Sequence, residues 1–345
     1  MNKLKVVLVG YGYWGPNLAR NVSLNPKFEI LAIVDQDLKN RSLASASYNV
    51  ETYDSIYSLP TTLHFDLAII CTRPSSHLEL AKHLMNLCPN ILITKPCGTS
   101  SIEAEEISSL AISKGVKVFC DFTYHFSPLV NHIIANKDTK DILTKMREYN
   151  SYRTSLGIVQ ADVDVLADLA VHDIYILLLL RGELPLWVSC LKTNSMDNSG
   201  LHSAFLTLTW KDGFVSGIHV SWNSPKKVRQ ISLIGEKAAI VIEEMNRETP
   251  LQIIHFETSG SQYELISSEE KTARNVSYTM GEIEAPKIQM YEALAKEIDT
   301  IADAINCIPT IIGIPGALEA VSVWKVVEAL RKSINGEGGK QYVHK

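Results

Sequence analysis

Three sets of residues in this 345-residue chain have the types and the spacing to do chemistry. The first is Gly10-Tyr11-Gly12-Tyr13-Trp14-Gly15, a Gly-x-Gly-x-x-Gly pattern. It follows the apolar run 6–9 and opens a helix-type pattern at Leu18, Ala19, Asn21 and Val22. In that context Gly10 permits a tight strand-to-helix turn, Gly12 lets the backbone approach a pyrophosphate, and Gly15 lets the helix pack closely on the strand. The helix N-terminus adds free N–H groups and a partial positive charge for phosphate oxygens. Asp35 closes the next apolar run, 28–34, and stands 20 residues after Gly15. That is the place of an acid that binds the 2′-hydroxyl of an adenosine ribose. Together Gly10, Gly12, Tyr13, Trp14, Gly15 and Asp35 predict a dinucleotide site.

The second set is Ile93-Thr94-Lys95-Pro96, at the end of a strand-like run. At a strand C-terminus of a doubly wound sheet an ammonium group can stabilise charge developing on an oxygen and orient a hydroxyl. A lysine at a strand end can equally be solvated and idle. The third set is Asp168-Leu169-Ala170-Val171-His172-Asp173, inside a mostly apolar helix pattern at 165–181. The i, i+4 spacing puts Asp168 and His172 on one helical face. Polar groups in so apolar a helix need partners or a cavity. A histidine is suited to take a proton from an alcohol as hydride leaves its carbon, with Asp168 to orient the imidazole or grip a hydroxyl. A satisfied core pair is the alternative. The loop Cys71-Thr72-Arg73-Pro74-Ser75-Ser76-His77 follows another strand-like run and places Thr72, Arg73 and Pro74 beside the cofactor. His77 opens the next helix, where a local hydrogen-bond role competes with a cofactor contact.

Positioning these groups takes an alternation of elements. Strand-like runs at 5–9, 28–34, 50–53, 66–71, 90–93 and 116–122 alternate with helix patterns at 16–24, 38–46, 77–87 and 101–114. The last helix opens on a Ser100-x-x-Glu103 capping box. This alternation predicts a parallel, doubly wound sheet with ligands at the strand C-termini near its switch point. After residue 123 the pattern changes. A helix starts near Pro128, a strand covers 146–154, and the apolar helix covers 165–181. Strand-like runs follow at 186–192, 204–210, 214–221, 229–234, 239–242, 251–256 and 263–266, with Gly213 in a hairpin turn. Helix patterns at 288–305 and 316–334 and a loop at 335–339 end the chain. The expected fold is α/β: a dinucleotide-binding Rossmann domain at 1–122, then an α+β domain at 123–345 with a large open, mainly antiparallel sheet.

Hydrophobic residues make up 46% and charged residues 21%, the balance of an ordinary globular protein. Lys plus Arg is 33 and Asp plus Glu 38, a net −5 without a basic block, so nucleic acid is not an expected partner. The early first strand leaves no room for a cleaved leader, and the apolar run 174–180 is too short to span a bilayer. No membrane association and a cytoplasmic location are expected. Six cysteines form no Cys-x-x-Cys pair and read as buried free thiols in a reducing compartment. No metal site is expected, because the ten histidines do not cluster with acids at ligand spacing.

Taken in order, these motifs resemble the glucose–fructose oxidoreductase / inositol dehydrogenase family (Gfo/Idh/MocA), over most of the chain. The resemblance rests on the glycine pattern, Thr72-x-Pro74-x-x-His77, Lys95-Pro96, and Asp168-x-x-x-His172. It implies a Rossmann domain followed by an open-sheet domain. It places Lys95, Asp168 and His172 where a nicotinamide meets a sugar or polyol carbon. Lys95 and Pro96 then also flank the cofactor, and Tyr124 and Arg153 join the substrate contacts, the guanidinium suiting a phosphate. A narrower likeness is carried by Gly12-Tyr13-Trp14-Gly15-Pro16-Asn17-Leu18-x-Arg20-Asn21, Tyr152-Arg153-Thr154-x-Leu156-Gly157 and Asp168-Leu169-Ala170-x-His172-Asp173. These resemble dehydrogenases of surface-polysaccharide and nucleotide-sugar pathways. They imply a nucleotide-linked sugar related to UDP-N-acetylglucosamine, oxidised at a ring hydroxyl such as C3.

Three positions depart from the family pattern: Thr94 replaces a glutamate, Val171 a proline, and Ala167 an often aromatic residue. The resulting expectation is an NAD-dependent sugar dehydrogenase with His172 as base. The charge of Asp35 favours NAD over NADP, since no basic residue follows directly in Gln36-Asp37. A free aldose or inositol is the alternative substrate. A catalytically silent NAD-binding partner is the alternative outside enzymes, and Thr94 points to it. A homodimer or homotetramer is expected through the open sheet, whose runs 204–210 and 214–221 have Trp210 and Trp222 nearby.

Overall fold

Continuous apolar runs become strands covered on both faces, and alternating runs become strands with one open face. The computed structural model describes residues 2–156, 162–193, 200–259 and 277–344. The first sheet holds β1 (Leu4–Val9), β2 (Phe28–Val34), β3 (Glu51–Tyr53), β4 (Leu67–Ile70), β5 (Asn90–Thr94) and β6 (Lys117–Asp121). All are parallel, in the order β3-β2-β1-β4-β5-β6. Every residue of β4 and β5 is buried. Helices α1 (Gly15–Leu24), α2 (Leu38–Tyr48), α3 (His77–Leu84) and α4 (Ser101–Lys114) connect the strands. The strand order reverses between β1 and β4, so the switch point lies above the C-terminal ends of those two strands. α4 is capped as its sequence predicts: Ser100 Oγ accepts from the Glu103 N–H, and Glu103 reaches back, to the Thr99 N–H at 2.8 Å.

The second sheet has nine strands: β7 (Glu148–Leu156), β8 (Trp187–Lys192), β9 (Ser203–Thr209), β10 (Val215–Ser221), β11 (Asn223–Ile234), β12 (Ala238–Glu243), β13 (Leu251–Ser259), β14 (Ser277–Glu284) and β15 (Gln341–Tyr342). Their order is β14-β13-β12-β11-β7-β10-β9-β8-β15. The sheet is mainly antiparallel, as expected, with one parallel ladder. β10 runs parallel to β7, because the chain leaves β7 through a helix and two more strands before returning beside it. Strands β14 and β15 carry no clear alternation and were not anticipated. The strand expected at 263–266, and Gly157 of the subgroup pattern, lie outside the described residues.

Helices α5 (Pro128–Ala135), α6 (Lys137–Thr144), α7 (Val171–Arg181), α8 (Ala293–Ile305) and α9 (Ala317–Asn335) complete the chain. The helix expected over 165–181 begins instead as a π-helical turn, Leu166–Ala170. α6 was not anticipated; it is short, polar, and capped by Asn136, which accepts from the Asp138 N–H. α9 is wedged between the two sheets, and its buried Trp324 donates Nε1–H to the Pro96 carbonyl at 2.7 Å. α8 turns back onto the first sheet. Its Leu294, Ile298, Ile301 and Ala302 share one apolar cluster with Leu8, Leu18, Val22 and Ile33. Lys27 pins it from outside, bonded to Asp299 at 2.8 Å and Asp303 at 2.6 Å.

The other face of the second sheet is open. Register aligns Tyr152, His219, Phe205 and Leu191 across β7, β10, β9 and β8. The Phe205 and His219 rings stack at 4.1 Å, and Tyr152, Phe205 and Leu191 are 48, 50 and 59% exposed. Trp210 and Trp222 do not belong to this face; both are buried. Five cysteines are buried and Cys307 is exposed, so the expectation of buried thiols holds for all but the last. Among the described residues no helix is long and apolar enough to cross a membrane.

Glu297, on the buried side of α8, faces Asp121 at the end of β6. Burial, then the Asp121 charge, hold its carboxyl well above the usual carboxylate range. The folded protein keeps that proton and the unfolded chain releases it, so this group costs stability as pH rises above the unfolded value, about 1.4 kcal/mol per pH unit. Glu297→Gln is expected to raise Tm more at pH 8 than at pH 5. An equal shift at both, by scanning calorimetry, would show that ionisation is not the cost.

Candidate active site

Geometry separates the three glycines of the first loop. Gly10 has φ +98°, and a Cβ there would be driven into the Cys71 carbonyl at the end of β4. A Cβ at Gly15 would collide with the Gly10 carbonyl oxygen. At Gly12 a Cβ would meet nothing within 4 Å. Two glycines thus let the loop fold, and the third leaves open space beside the N-terminus of α1, where phosphate oxygens are best received. Asp35 edges this space. Its Oδ2 accepts from the Tyr11 N–H at 2.6 Å, and its Oδ1 from the Asp37 N–H at 2.8 Å. Trp14 donates Nε1–H to Asp121 Oδ2 at 2.9 Å, tying the loop to the end of β6, while Tyr13 is 75% exposed. Across the switch point Thr72 Oγ1 and Ser76 Oγ bond at 2.7 Å, Pro74 opens a 3-10 turn, and Arg73 is exposed. The loop suits a dinucleotide: an open cradle at a helix N-terminus, an anchored acid, and no side chain in the way.

His77 does not join this set. Its side chain is fully buried; Nε2 bonds the Thr72 carbonyl at 3.0 Å and Nδ1 accepts from the Gly98 N–H at 3.3 Å. Burial pushes its pKa down to about 4. With both ring nitrogens committed, His77 braces the Thr72 loop against the Lys95-Pro96 loop, and the expected cofactor contact gives way to this local role.

Lys95 follows β5, and its Nζ donates to both the Asp168 carbonyl oxygen and Asp168 Oδ1, each at 2.8 Å. Thr94, the departure from the family pattern, is buried and donates to the Ile70 carbonyl at 3.2 Å, leaving no unmet polar group. Asp168 Oδ2 accepts from Trp222 Nε1–H at 3.0 Å. Asp168 therefore does not orient the His172 imidazole, as the i, i+4 spacing suggests. It sits in the π-helical turn, whose wider winding breaks the α-helical stacking of those two positions. Both Asp168 oxygens face residues far away in sequence.

His172 is half-buried and its Nδ1 has no hydrogen-bond partner. The Tyr124 ring lies 5.0 Å from it, tilted by 53°. Burial, then the positive charges of Lys95, Arg153 and Arg229, hold the imidazole well below its ordinary 6.5, so it is neutral at physiological pH.

Arg153 is not free for a phosphate. It is buried, with Nε on Asp173 Oδ2 at 2.7 Å, Nη2 on Asp173 Oδ1 at 3.3 Å, and Nη1 on the Tyr124 hydroxyl. Asp173 also accepts from Tyr149 at 3.0 Å and Ser151 at 2.6 Å. Tyr124 donates to Glu244 Oε2 at 2.9 Å. This network is a platform beside His172, and all three guanidinium nitrogens of Arg153 bond within it. Sequence names Asp173 only within its motif and Trp222 only beside the open sheet, neither as a site residue, and it gives no signal for Glu244 or Arg229. The ladder between β7 and β11 brings Arg229 opposite Arg153, and no spacing rule signals that pairing. Among the described residues no group of three or more His, Cys, Asp or Glu is placed to hold a metal ion.

The strand order and the open cradle at the switch point define the class: a two-domain, dinucleotide-binding α/β protein. Residues 4–122 match the family model described as the Gfo/Idh/MocA oxidoreductase family, NAD-binding Rossmann fold. The match covers the domain of the first sheet and marks it as an NAD-binding fold, with NAD as the cofactor. No curated protein matches the sequence. Solved structures do. UDP-N-acetylglucosamine 3-dehydrogenase GnnA from Acidithiobacillus ferrooxidans superposes with a TM-score of 0.80 at 18% identity, over 98% of this chain and 100% of its own. GenD2 from gentamicin A biosynthesis, in complex with NAD, gives 0.78 at 16%, over 100% and 97%. An oxidoreductase from Agrobacterium radiobacter, in complex with NAD+, L-tartaric acid and magnesium, gives 0.77 at 15%, over 99% of each chain. At these identities the likeness is one of fold.

The glycines give a paired test. Gly12→Ala is expected to keep the parental Tm and weaken NAD binding, because its methyl enters open space. Gly10→Ala is expected to lower Tm, because its methyl strikes backbone at a positive φ. Thermal scans with calorimetric NAD titration check both. Equal Tm losses in the two variants would sink the assignment.

Proposed function

We propose that the protein is an NAD-dependent sugar dehydrogenase. It moves a hydride between a ring hydroxyl or ketone and the nicotinamide, and its substrate is a nucleotide-linked sugar of the UDP-N-acetylglucosamine type. The observation that carries this reading is Lys95, Asp168 and His172 gathered beside the dinucleotide cradle, with the histidine held neutral. The fold shared with GnnA supports the nucleotide-sugar choice. In this reading residues 1–122 serve the cofactor, and 123–345 the substrate and subunit pairing.

NAD, when bound, supplies the hydride acceptor. Gly10, Gly12 and Gly15 would admit it, Tyr13, Trp14, Thr72, Arg73, Pro74 and Pro96 would flank it, and Asp35 would take the ribose hydroxyl and repel a 2′-phosphate. Lys95 has three N–H donors, and two of its hydrogen bonds go to Asp168; the third donor is left for the substrate oxygen. There it stabilises the negative charge that grows on that oxygen as the hydroxyl proton leaves or, in the reverse direction, as hydride adds to the ketone. Neutral His172 takes the hydroxyl proton, and in the reverse direction gives it back. Asp168 positions Lys95, and Trp222 positions Asp168.

Turnover of a panel of nucleotide sugars, followed by NADH absorbance, tests the assignment. His172→Ala and Lys95→Ala are expected to lower kcat by about 10²–10⁴-fold, with Tm and NAD affinity near parental values. The acid limb of kcat/KM is expected below pH 6.5, since the imidazole pKa is depressed. Parental rates in both variants, or an acid limb above 6.5, would overturn it.

The open aromatic row on β7, β10 and β9 supports a homodimer or homotetramer paired through that face, since a two-fold axis covers such a patch with its own copy. The buried thiols support a cytoplasmic setting. Light scattering at micromolar concentration is expected to give a multiple of 38.3 kDa, and Phe205→Glu to lower it. A parental mass near 38.3 kDa ends the idea.

A further inference from the structure

Arg229 on β11 stands directly opposite Arg153 on β7. Directly opposed residues share one face of a sheet with their Cβ atoms about 4.5–5.5 Å apart, and like charges so placed destabilise the pair. Arg153 is answered by Asp173. Arg229 is not: among the described residues no carboxylate forms an ion pair with it. Its hydrogen bonds all leave from Nη1, to the Thr154 carbonyl at 3.0 Å and the Val228 carbonyl at 2.9 Å. Among the described residues Nε and Nη2 have no partner. Those two N–H groups form one side of the guanidinium, the fork that binds two oxygens of a carboxylate or phosphate at once.

The surroundings do not supply those oxygens. Glu244 is adjacent, since its N–H donates to the Arg229 carbonyl at 3.0 Å, but its carboxylate accepts from Tyr124. Burial pushes the Glu244 carboxyl up against the pull of Arg153, and the carboxylate makes no hydrogen bond to the Arg229 guanidinium among the described residues. Burial, then Arg153, push the Arg229 pKa down, so the guanidinium sits at a cost that a bound anion would remove. Three cations, Lys95, Arg153 and Arg229, act on His172, while Asp168 and Asp173 are each committed to one of the first two.

We propose that the free Nε/Nη2 fork of Arg229 is a subsite for an anionic group of the substrate, a carboxylate or phosphate borne by the sugar. The inference rests on the sugar-dehydrogenase reading for the sugar and on Arg229 itself for the charge.

The test titrates the NAD-loaded protein calorimetrically with a hexose, the matching hexuronate, the hexose 1-phosphate and the UDP-hexose. At least one anionic member is expected to bind about 10- to 100-fold more tightly than the hexose. Preference for the uronate alone identifies a carboxylate, and for the phosphorylated sugars a phosphate. Arg229→Met is expected to abolish the preference while leaving NAD affinity intact. Arg229→Lys is expected to keep a reduced preference, as a point charge without the fork; it decides the matter if the Met variant fails to fold. Equal binding of all four sugars, no binding by any anionic one, or a preference surviving in Arg229→Met would overturn the subsite. NADH formation in the same samples separates the two readings. Arg229-dependent binding without turnover overturns the dehydrogenase alone, and equal turnover of neutral and anionic sugars overturns the subsite alone.

Discussion

The ion pair between Lys95 and Asp168 joins the chemistry of the two sheets, and the active-site geometry depends on it. Lys95 belongs to the end of a parallel strand and Asp168 to a helical turn 73 residues later. Both side chains are about a quarter exposed. A pair at that depth is weak evidence for stability, because desolvation offsets much of its attraction. Its value is in direction. Asp168 is held from two sides, by Lys95 and by the Trp222 indole, so the ammonium is fixed relative to His172 before any substrate arrives. Removing one partner would leave the other charge stranded, which is why the pair and the tryptophan form one unit.

The same logic governs the histidine. Its neutrality is not a property of its own helix but of the three cations around it and of its burial. The platform of Arg153, Asp173, Tyr124, Tyr149 and Ser151 is tied together by hydrogen bonds, which lets it carry charge inside the fold. In the proposed reaction, positioning of this kind costs no reorganisation.

The two domains share elements rather than merely touch. α8, from late in the chain, completes the apolar core of the first sheet, and α9 reaches from the second sheet to the Pro96 carbonyl. A rigid relation between cradle and platform follows from these buried contacts, since packed interiors resist small displacements.

Much of this was legible in the sequence. The glycine spacing, the buried strand runs and Asp35 determined the parallel sheet and its cradle, because each depends on local sterics or on a periodicity of two or 3.6. Lys95, Asp168 and His172 could be named from residue type and the family pattern. What they bond to was decided by tertiary structure. A helical spacing pointed Asp168 at His172, but the π-helical turn sent it to Lys95 and Trp222. A motif offered Arg153 to a phosphate, but its strand buried it against Asp173. Arg229 had no local signal at all, because its meaning comes from strand register, which sets two arginines side by side across 76 residues of chain. Local chemistry is written in neighbours along the chain. Charge balance is a sum over neighbours in space, and only the folded arrangement supplies those.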